Sequence, residues 1–407
     1  MENWTVLIYA NGNNELEPEV YGRFTELINQ DINHKYNIIV QIGRADLDLV
    51  KSLRFNTLIY TKQQWSGVRR YKIDNKKALL LEDMGKANMA DPSSLVDFVS
   101  WGINTHPDSR IMVIISGHGA GFVGVMTDYT KETPYMMDST GLTRSLYKIK
   151  NNTKKSIDCL VLDACFMNMV EVWNEIALIT NKPVKYLLTP SRNIELKGLS
   201  YINIIKNIGS KLTLHKSLVD TTKSINASHA KEKLLLVKMS GRFFNKLKKE
   251  INYISEFIVQ KNISLRMLLD KWCLTKPVEP LISILDLIKI INDEYPRDWR
   301  RKKPIEKILN NIIVHPSIST LHHRLNIGPC LYLPLHPRQY LELRYYYEIL
   351  SFSKNNSWIK VIGGELPAPM EIPINYVVAN IMDINKDITF EEIWEIMKDF
   401  GWYKTRD

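Results

Sequence analysis

Two side chains that can form and break covalent bonds follow two short apolar runs of the sequence. His118 comes three residues after the run Ile111–Ile115, and Cys165 comes three residues after the run Cys159–Leu162. Uninterrupted apolar runs of this kind are typical of strands that are buried on both faces of a sheet. Because open α/β sheets carry their sites at the carboxyl ends of the strands, we expect His118 and Cys165 to lie at the same edge.

The two residue types are suited to nucleophilic catalysis. A cysteine attacks as its thiolate, and a histidine beside it can donate a proton to the group that leaves. The backbone N–H groups of Gly119 and Cys165 could form an oxyanion hole, which contributes about 3 kcal/mol per donor. A helix predicted to begin near Met167 would place Cys165 at its N-terminal end, where the helix dipole and His118 lower the pKa of a thiol from about 8.5 toward neutrality.

Each of these residues also has an ordinary structural interpretation. A single cysteine in a strand is usually a small buried apolar residue, which is our interpretation of Cys159. Asp163, two residues before Cys165, could hold a basic side chain or could cap the helix that follows. The interval of 47 residues between His118 and Cys165 favours catalysis, because caspase-type enzymes place the histidine about 50 residues before the cysteine.

The elements that would position these residues alternate between strand and helix. The run Trp4–Ala10 predicts a strand and Glu15–Ile28 an amphipathic helix, and the alternation continues to the strand Leu234–Val237. This order predicts an α/β fold with a mainly parallel sheet covered by helices on both faces. Long helical patterns dominate the second half, so we expect a core of residues 1–240 and a helix-rich region of residues 241–407 packed on it.

Less regular segments are assigned by their length and periodicity. Leu281–Ile291 predicts a long helix, and Glu391–Phe400 predicts a last short helix. Leu53–Tyr60 and Val68–Ile73 predict a hairpin or a pair of edge strands.

Two short motifs surround the candidate residues. The first is Ser116-Gly117-His118-Gly119, and the second is Asp-Ala-Cys-x-Met at residues 163–167. Together they resemble the signatures of the clostripain family of cysteine peptidases, in the caspase-like clan. Further similarities lie at Asn13-Asn14 with Leu16-Glu17, in the loop from Ser191 to Tyr201, and along Gly328 to Pro334.

The resemblance implies both a fold and an activity. The fold would be a caspase-like α/β/α sandwich with a mainly parallel central sheet and a helix-rich C-terminal extension. The activity would be an endopeptidase that cleaves protein or peptide substrates after Arg or Lys, with Asp163 at the base of the pocket and Ser191 in the loop beside it. The family needs no cofactor in general, although some members need calcium.

Two positions depart from the family pattern. Asn13 stands where the family usually has aspartate, and Arg192 stands in a loop where an acidic residue is common. Arg192 near the pocket would repel a basic side chain, which weakens the expected preference. Since Asp163 is retained, we still expect cleavage after Arg or Lys.

The resemblance also implies activation by self-cleavage between the histidine and the cysteine. The segment from Met126 to Asp138 is polar and contains a proline, which is typical of exposed segments that proteases reach. Its one basic residue, Lys131, is therefore the predicted cleavage site. Uncut, the segment could present Lys131 to Asp163 and block the pocket. The competing sites are Arg144, Lys148, Lys150, Lys154 and Lys155.

Two other classes of function stay open. A catalytically silent caspase-like binding module would have the same fold, and the intact pair of His118 and Cys165 argues against it. Gly119, Gly121 and Gly124 match a dinucleotide fingerprint, which requires a helix that begins at the third glycine. The residues after Gly124 lack helical periodicity, so nucleotide binding is disfavoured.

Composition argues against several kinds of partner. The chain has 407 residues, of which 45% are hydrophobic and 24% charged, as is typical of globular proteins. The net charge of +10 would suit nucleic acid, yet the basic run Arg297–Lys303 holds a single aromatic residue, so we expect no nucleic-acid partner. His322 and His323 lack the spacing of zinc ligands, so no metal site is expected.

The number of cysteines and the lengths of the apolar runs limit where in the cell the protein is expected. Four cysteines are too few for a disulfide framework, and Cys273 and Cys330 are interpreted as structural. The sequence contains no run of 18 apolar residues, so we expect no membrane partner. We expect a monomer in the cytoplasm, or a secreted protein if a leader has been removed.

Overall fold

A computed structural model describes most of the chain. The described residues are 3–31, 36–54, 63–131, 134–209, 213–228, 233–273, 279–297, 302–316, 328–335 and 337–363. The predicted helix Glu391–Phe400 and most of the predicted strand Leu53–Tyr60 lie outside these residues.

Strands and helices alternate through the N-terminal half, as the sequence predicts. In chain order they are β1 (Trp4–Gly12), α1 (Glu17–Ile28), β2 (Tyr36–Arg44), α2 (Leu47–Leu53), β3 (Gly67–Asp74), β4 (Lys77–Gly85), α3 (Pro92–Thr105), β5 (Arg110–Ser116), β6 (Gly124–Asp128), β7 (Tyr135–Asp138), α4 (Ser139–Thr153), β8 (Ile157–Asp163), α5 (Val170–Ala177), β9 (Val184–Pro190), α6 (Tyr201–Asn207), α7 (Leu214–Ser228) and β10 (Leu234–Lys238).

Helices dominate the rest of the described chain. They are interspersed with three short strands, in the order α8 (Gly241–Gln260), α9 (Leu265–Cys273), β11 (Leu281–Ser283), α10 (Ile284–Glu294), α11 (Lys302–Ile312), β12 (Ile313–His315), β13 (Cys330–Tyr332), α12 (Pro337–Glu348) and α13 (Trp358–Gly363).

Nine strands of the described residues form one sheet, in the order β12-β10-β9-β8-β5-β1-β2-β3-β4. The five central strands, from β9 to β2 in this order, are parallel to one another. The pairs at both margins are antiparallel. The prediction of an α/β fold with a mainly parallel central sheet is therefore confirmed.

Both faces of the central strands are buried, which explains their apolar runs. Along β5, Val113 and Ile115 belong to the apolar cluster on one face, whereas Met112 and Ile114 belong to the cluster on the other. The same alternation continues on β8, where Cys159 is completely buried among apolar side chains. Cys159 is therefore a core residue, as the sequence predicts.

The register of the parallel strands brings three strand ends to one level. Ala10 of β1 pairs with Ser116 of β5, and Ser116 pairs with Asp163 of β8. Residues that follow these three positions in the chain therefore emerge side by side at the carboxyl edge of the sheet. This edge carries His118 and Cys165.

The C-terminal half contributes to the sheet and packs against the helices of the N-terminal half. β12 pairs with β10 at one margin of the sheet, and α8 packs against α5, α11 and α13. The predicted helix Leu281–Ile291 is wrong at its start. Leu281–Ser283 forms β11, which pairs with β13, and the helix α10 begins only at Ile284. No helix among the described residues is both long and apolar enough to cross a membrane.

Candidate active site

Cys165 lies on a tight turn between β8 and α5. The chain leaves β8 at Asp163, and α5 begins at Val170 with Met169 as its N-cap residue. Phe166, directly after the cysteine, has a φ of 60°, a left-handed conformation that is rare for a bulky residue. Its amide donates a hydrogen bond to Asn193 Oδ1 at 2.9 Å, which holds the turn.

This turn corrects the prediction of a helix that begins near Met167. Because α5 begins five residues after Cys165, the cysteine does not lie in the first turn of the helix, where the dipole acts. The strand β13 of the C-terminal half braces the turn instead. The Cys330 amide donates to the carbonyl oxygen of Asn168 at 3.0 Å.

His118 lies on the neighbouring loop, after β5, and is largely buried. The amide of Met126 donates to the His118 carbonyl oxygen at 2.8 Å, so the hairpin of β6 and β7 supports this loop. Gly119 lies against the cysteine turn. A Cβ atom on Gly119 would stand 2.3 Å from the carbonyl oxygen and 2.8 Å from the amide nitrogen of Cys165. The structure thus brings His118, Gly119 and Cys165 together, and the close approach requires a glycine.

Glu15 completes the surroundings of the histidine. Its Oε1 lies 2.5 Å from His118 Nε2, and both side chains are less than a tenth exposed. Burial on its own would raise the pKa of Glu15, but the charge and the hydrogen bond of His118 outweigh it, and the pKa lies below its usual value. The carboxylate therefore fixes the ring and is placed to stabilise an imidazolium.

Glu15 is not among the residues predicted from the sequence, although the sequence contains a signal for it. Glu15 is the variable position in the stretch Asn13-Asn14-x-Leu16-Glu17. It follows β1, and β1 lies beside β5 in the sheet. The order of the strands, which the sequence does not reveal, makes Glu15 a neighbour of His118.

The Cys165 thiol is half-buried and protonated in this form at neutral pH. Burial raises the pKa of Cys165 to about 11, and the negative charges of Glu279 and Asp163 add to this effect. The Sγ atom lies 3.9 Å from the carbonyl oxygen of Ile194, to which the thiol donates. The expectation of a lowered pKa is not met, because the thiol is desolvated by burial, two carboxylates act on it and no helix end lies at Cys165.

The two amides predicted to form an oxyanion hole belong to segments that contact each other. Among the described residues, the backbone amides of Gly119 and Cys165 donate no hydrogen bond. The two amides are brought close by the contact of Gly119 with the cysteine turn. Both N–H groups therefore remain available as donors within the described residues.

Asp163 lies beneath the turn and is 1% exposed. Ser116 Oγ donates to its carboxylate at 2.6 Å, and the Leu199 amide donates at 2.7 Å. Arg23 of α1 forms a salt bridge with the same carboxylate. Asp163 does not cap α5, so that alternative is wrong. Arg23, which the sequence analysis did not identify, occupies the position expected for a basic group of the substrate.

Ser191 is buried, whereas Lys131 is exposed. Ser191 is 1% exposed at the end of β9, and its carbonyl oxygen accepts a hydrogen bond from Asn168 Nδ2 at 2.9 Å. Ser191 therefore supports the cysteine turn from below. Lys131 is exposed between β6 and β7, close to residues 132–133, which lie outside the described residues. Arg144 and Lys148 lie on α4.

Two alternative kinds of site find no support in the geometry. Gly124 is the first residue of β6, so the helix that a dinucleotide fingerprint requires at the third glycine is replaced by a strand. Among the described residues no three His, Cys, Asp or Glu side chains group as metal ligands would. His322 and His323 lie outside the described residues, and a requirement for calcium stays an untested expectation.

A cysteine and a histidine on adjacent loops at the carboxyl edge of a mainly parallel sheet define the class of caspase-like cysteine peptidases. The sequence model of the clostripain family matches residues 8–364, and the chain belongs to this family. No curated protein matches the chain significantly.

Two solved structures of similar fold belong to C11 cysteine proteases. One is a secreted C11 cysteine protease from Bacteroides thetaiotaomicron bound to an irreversible peptide inhibitor, with a TM-score of 0.62 and 13% identity over 88% of this chain and 100% of that chain. The other is an inactive zymogen of a C11 protease from Parabacteroides distasonis, with a TM-score of 0.60 and 14% identity over 89% of this chain and 98% of that one. At these identities the similarity shows the fold alone.

Proposed function

We propose that the protein is a cysteine endopeptidase in which Cys165 is the nucleophile and His118 the proton donor. The observation that carries the proposal is the contact of Gly119 with the cysteine turn, which sets the histidine loop beside Cys165. The Glu15–His118 pair adds a fixed ring orientation.

The proposed reaction moves one proton through the histidine. His118 Nε2 is hydrogen-bonded to Glu15, so Nδ1 is the ring atom that accepts the thiol proton. The thiol loses this proton as Sγ attacks the carbonyl carbon of the scissile bond. The amides of Gly119 and Cys165 hold the negative oxygen. His118 then protonates the departing amine. Water attacks the thioester carbonyl carbon and gives one proton to His118. The C–S bond breaks, the second product leaves as a carboxylic acid, and His118 returns the proton to the Cys165 thiolate.

The raised pKa of Cys165 favours a latent form that must be activated. At neutral pH a thiol with a pKa of about 11 is almost entirely protonated. In the form described here, only a small fraction of Cys165 is therefore the reactive thiolate. We keep self-cleavage after Lys131 as the proposed activation step, since Lys131 is exposed in a hairpin turn. Its expected contact with Asp163 is replaced here by Arg23, so blocking of the pocket by Lys131 has no support in this form.

We propose cleavage after Arg or Lys chiefly because the negatively charged Glu279 acts on the thiol. Both Glu279 and Asp163 act electrostatically on Cys165. Asn193 Nδ2 donates to Glu279 Oε1 at 3.2 Å, which holds this carboxylate near the cysteine turn. A basic side chain beside the scissile bond would be attracted to this region.

Three variants test the peptidase proposal. Cys165→Ala should abolish turnover of an Arg- or Lys-containing peptide and labelling by a matching acyloxymethylketone, and His118→Ala should lower kcat about 10²- to 10⁴-fold. Cys159→Ala is the matched control, because this thiol is completely buried, and it should retain activity. A folded wild type that neither hydrolyses nor becomes labelled would instead support the silent binding module.

The same proteins test activation. The intact mass of the wild type should fall into fragments of roughly one third and two thirds of the chain after a cut at Lys131, whereas Cys165→Ala should stay whole. A fully active wild type that remains uncut would refute self-activation but not the peptidase.

We keep a cytoplasmic monomer as the proposed state. One of the structures of similar fold is described as a secreted protease, which makes secretion the alternative to test. Cell fractionation and size-exclusion chromatography of the full chain would decide both points.

A further inference from the structure

The carboxylate of Asp163 has three donors and almost no contact with solvent. Ser116 Oγ and Arg23 Nη1 both donate hydrogen bonds to Oδ2, and the Leu199 amide donates a hydrogen bond to Oδ1 at 2.7 Å. With a residue exposure of 1%, Asp163 is a buried charge whose partner is the guanidinium. In an environment of low dielectric constant, such a pair attracts a third charge far less than an isolated carboxylate would.

Arg23 is held in this position from three sides. Its guanidinium lies 4.9 Å from the centroid of the Tyr201 ring, and its Nε donates to the Glu19 carbonyl oxygen at 3.4 Å. Gly198 makes room for it. A Cβ atom there would stand 2.2 Å from Arg23 Nη1, and the φ of 63° also favours glycine. The contact is therefore part of the packing between α1 and the loop before α6.

We propose that Arg23 is a specificity-determining residue that weakens the selection of basic substrate side chains by Asp163. This inference rests on the proposed peptidase function. A substrate Arg or Lys that approaches Asp163 gains attraction from the carboxylate and meets repulsion from Arg23 at nearly the same distance. Because the two effects oppose each other, charge contributes little to recognition at this position while Arg23 is present.

The variant Arg23→Met tests the proposal with a pair of peptides that differ only in charge, carrying either arginine or neutral citrulline before the scissile bond. Methionine retains an apolar stem against Tyr201 and removes the charge. The ratio of kcat/KM for arginine over citrulline should rise about tenfold or more, mainly through KM, because a charge-assisted hydrogen bond becomes available. An unchanged ratio in a folded variant that still hydrolyses the citrulline peptide would overturn the proposal.

Arg44→Met is the matched control. Arg44 is also a buried arginine that pairs with a carboxylate, Glu17, and lies over a tyrosine ring at 3.5 Å, but it belongs to β2. Its loss should lower stability without changing the arginine-to-citrulline ratio. A rise of the same size in Arg44→Met would show that loosening of the fold, and not the Asp163 charge, changes the preference.

Asp163→Asn gives a second test in case Arg23→Met does not fold. This variant leaves Arg23 without its counter-ion, so a peptide with glutamate in place of glutamine before the scissile bond should gain relative kcat/KM. The double variant Arg23→Met/Asp163→Asn removes both charges, so both ratios should return close to their wild-type values. If Asp163→Asn does not raise kcat/KM for the glutamate peptide relative to the glutamine peptide, Arg23 does not act on the substrate and the proposal is wrong.

The peptidase proposal fails in a different way. If wild type, Arg23→Met and Arg44→Met all fold but hydrolyse none of the peptides and take up no acyloxymethylketone, the chain is not a peptidase. A wild type that hydrolyses citrulline and arginine peptides equally well would agree with the role of Arg23 and would contradict the proposed cleavage after Arg or Lys.

Discussion

Glu15 and Asp163 are both buried carboxylates at the carboxyl edge of the sheet, but they have different partners. Glu15 contacts the imidazole of His118, a ring that carries a proton on one or on both of its nitrogens. Asp163 contacts Arg23, a guanidinium that stays charged at any pH the protein survives. The first pair can therefore support proton movement, whereas the second is a fixed, nearly neutral unit that contributes packing and limits charge recognition.

The largest expected effect comes from breaking the fixed pair. Asp163→Ala leaves Arg23 buried without its carboxylate and should lower the free energy of unfolding by about 3–5 kcal/mol. Urea unfolding in the Cys165→Ala background, which prevents self-cleavage, would measure it. The control is Asp83→Ala, which removes the exposed partner of Arg69 and should change stability far less. Equal losses in the two variants would show that the Arg23 pair is solvated.

A third buried carboxylate, Glu171 of α5, sharpens the comparison because, within the part of the chain that the structure describes, its hydrogen-bond donors are neutral. Its Oε1 accepts hydrogen bonds from the Tyr332 amide at 2.9 Å and from Tyr347 Oη at 3.1 Å. Burial raises the pKa of Glu171 to about 7. Without a cation beside it, this carboxyl group holds its proton more tightly in the folded protein than in the unfolded chain.

The sign of the resulting pH dependence follows from the raised pKa. The stabilisation by protonated Glu171 is complete below about pH 4.5 and is lost as the pH rises through about 7. Between pH 5 and pH 8 this group should cost the wild type up to about 3 kcal/mol of unfolding free energy. Urea unfolding at both pH values should show a smaller decline for Glu171→Gln. Parallel declines would mean that Glu171 is ionised throughout.

The smallest expected effect comes from changing the Glu15–His118 pair. Glu15→Gln keeps an acceptor for His118 Nε2 and removes the negative charge, so kcat should fall about tenfold with KM unchanged. Steady-state kinetics on one peptide would measure it, with Glu19→Gln, on the same segment and paired with Arg54, as the control. A change confined to KM would place Glu15 in substrate binding instead.

The sequence predicted the secondary-structure elements whose side chains have the same kind of burial along the whole element. The apolar runs of β5 and β8 are buried on both faces, so their composition alone identifies them and places His118 and Cys165 at their ends. The cap of α3 was predictable for a similar reason, since Asp91 accepts a hydrogen bond from the Ser93 amide two residues on. These are local properties of the chain.

The partners of the site residues depend on the order of the strands and on helix packing. Arg23 lies on an amphipathic helix, where an arginine ordinarily faces solvent, and only the packing of α1 beside the end of β8 brings it to Asp163. The strand β4 was missed because Leu79, Leu80 and Leu81 are all about half exposed, so the alternation of a half-buried strand is absent. β11 was merged with α10 because Leu281–Ser283 continues the apolar pattern of that helix.

The ladder between β5 and β8 determines how a protein cut at Lys131 would behave. The two strands pair from Met112 with Cys159 to Ser116 with Asp163, and such a cut would leave them in separate polypeptides. The nicked enzyme would be a heterodimer with one shared core, and each fragment alone would expose an open sheet edge. After denaturation the fragments would have to find each other, so refolding would become second order and would slow with dilution. The uncut chain could refold after unfolding. The cut enzyme would persist only because it unfolds slowly.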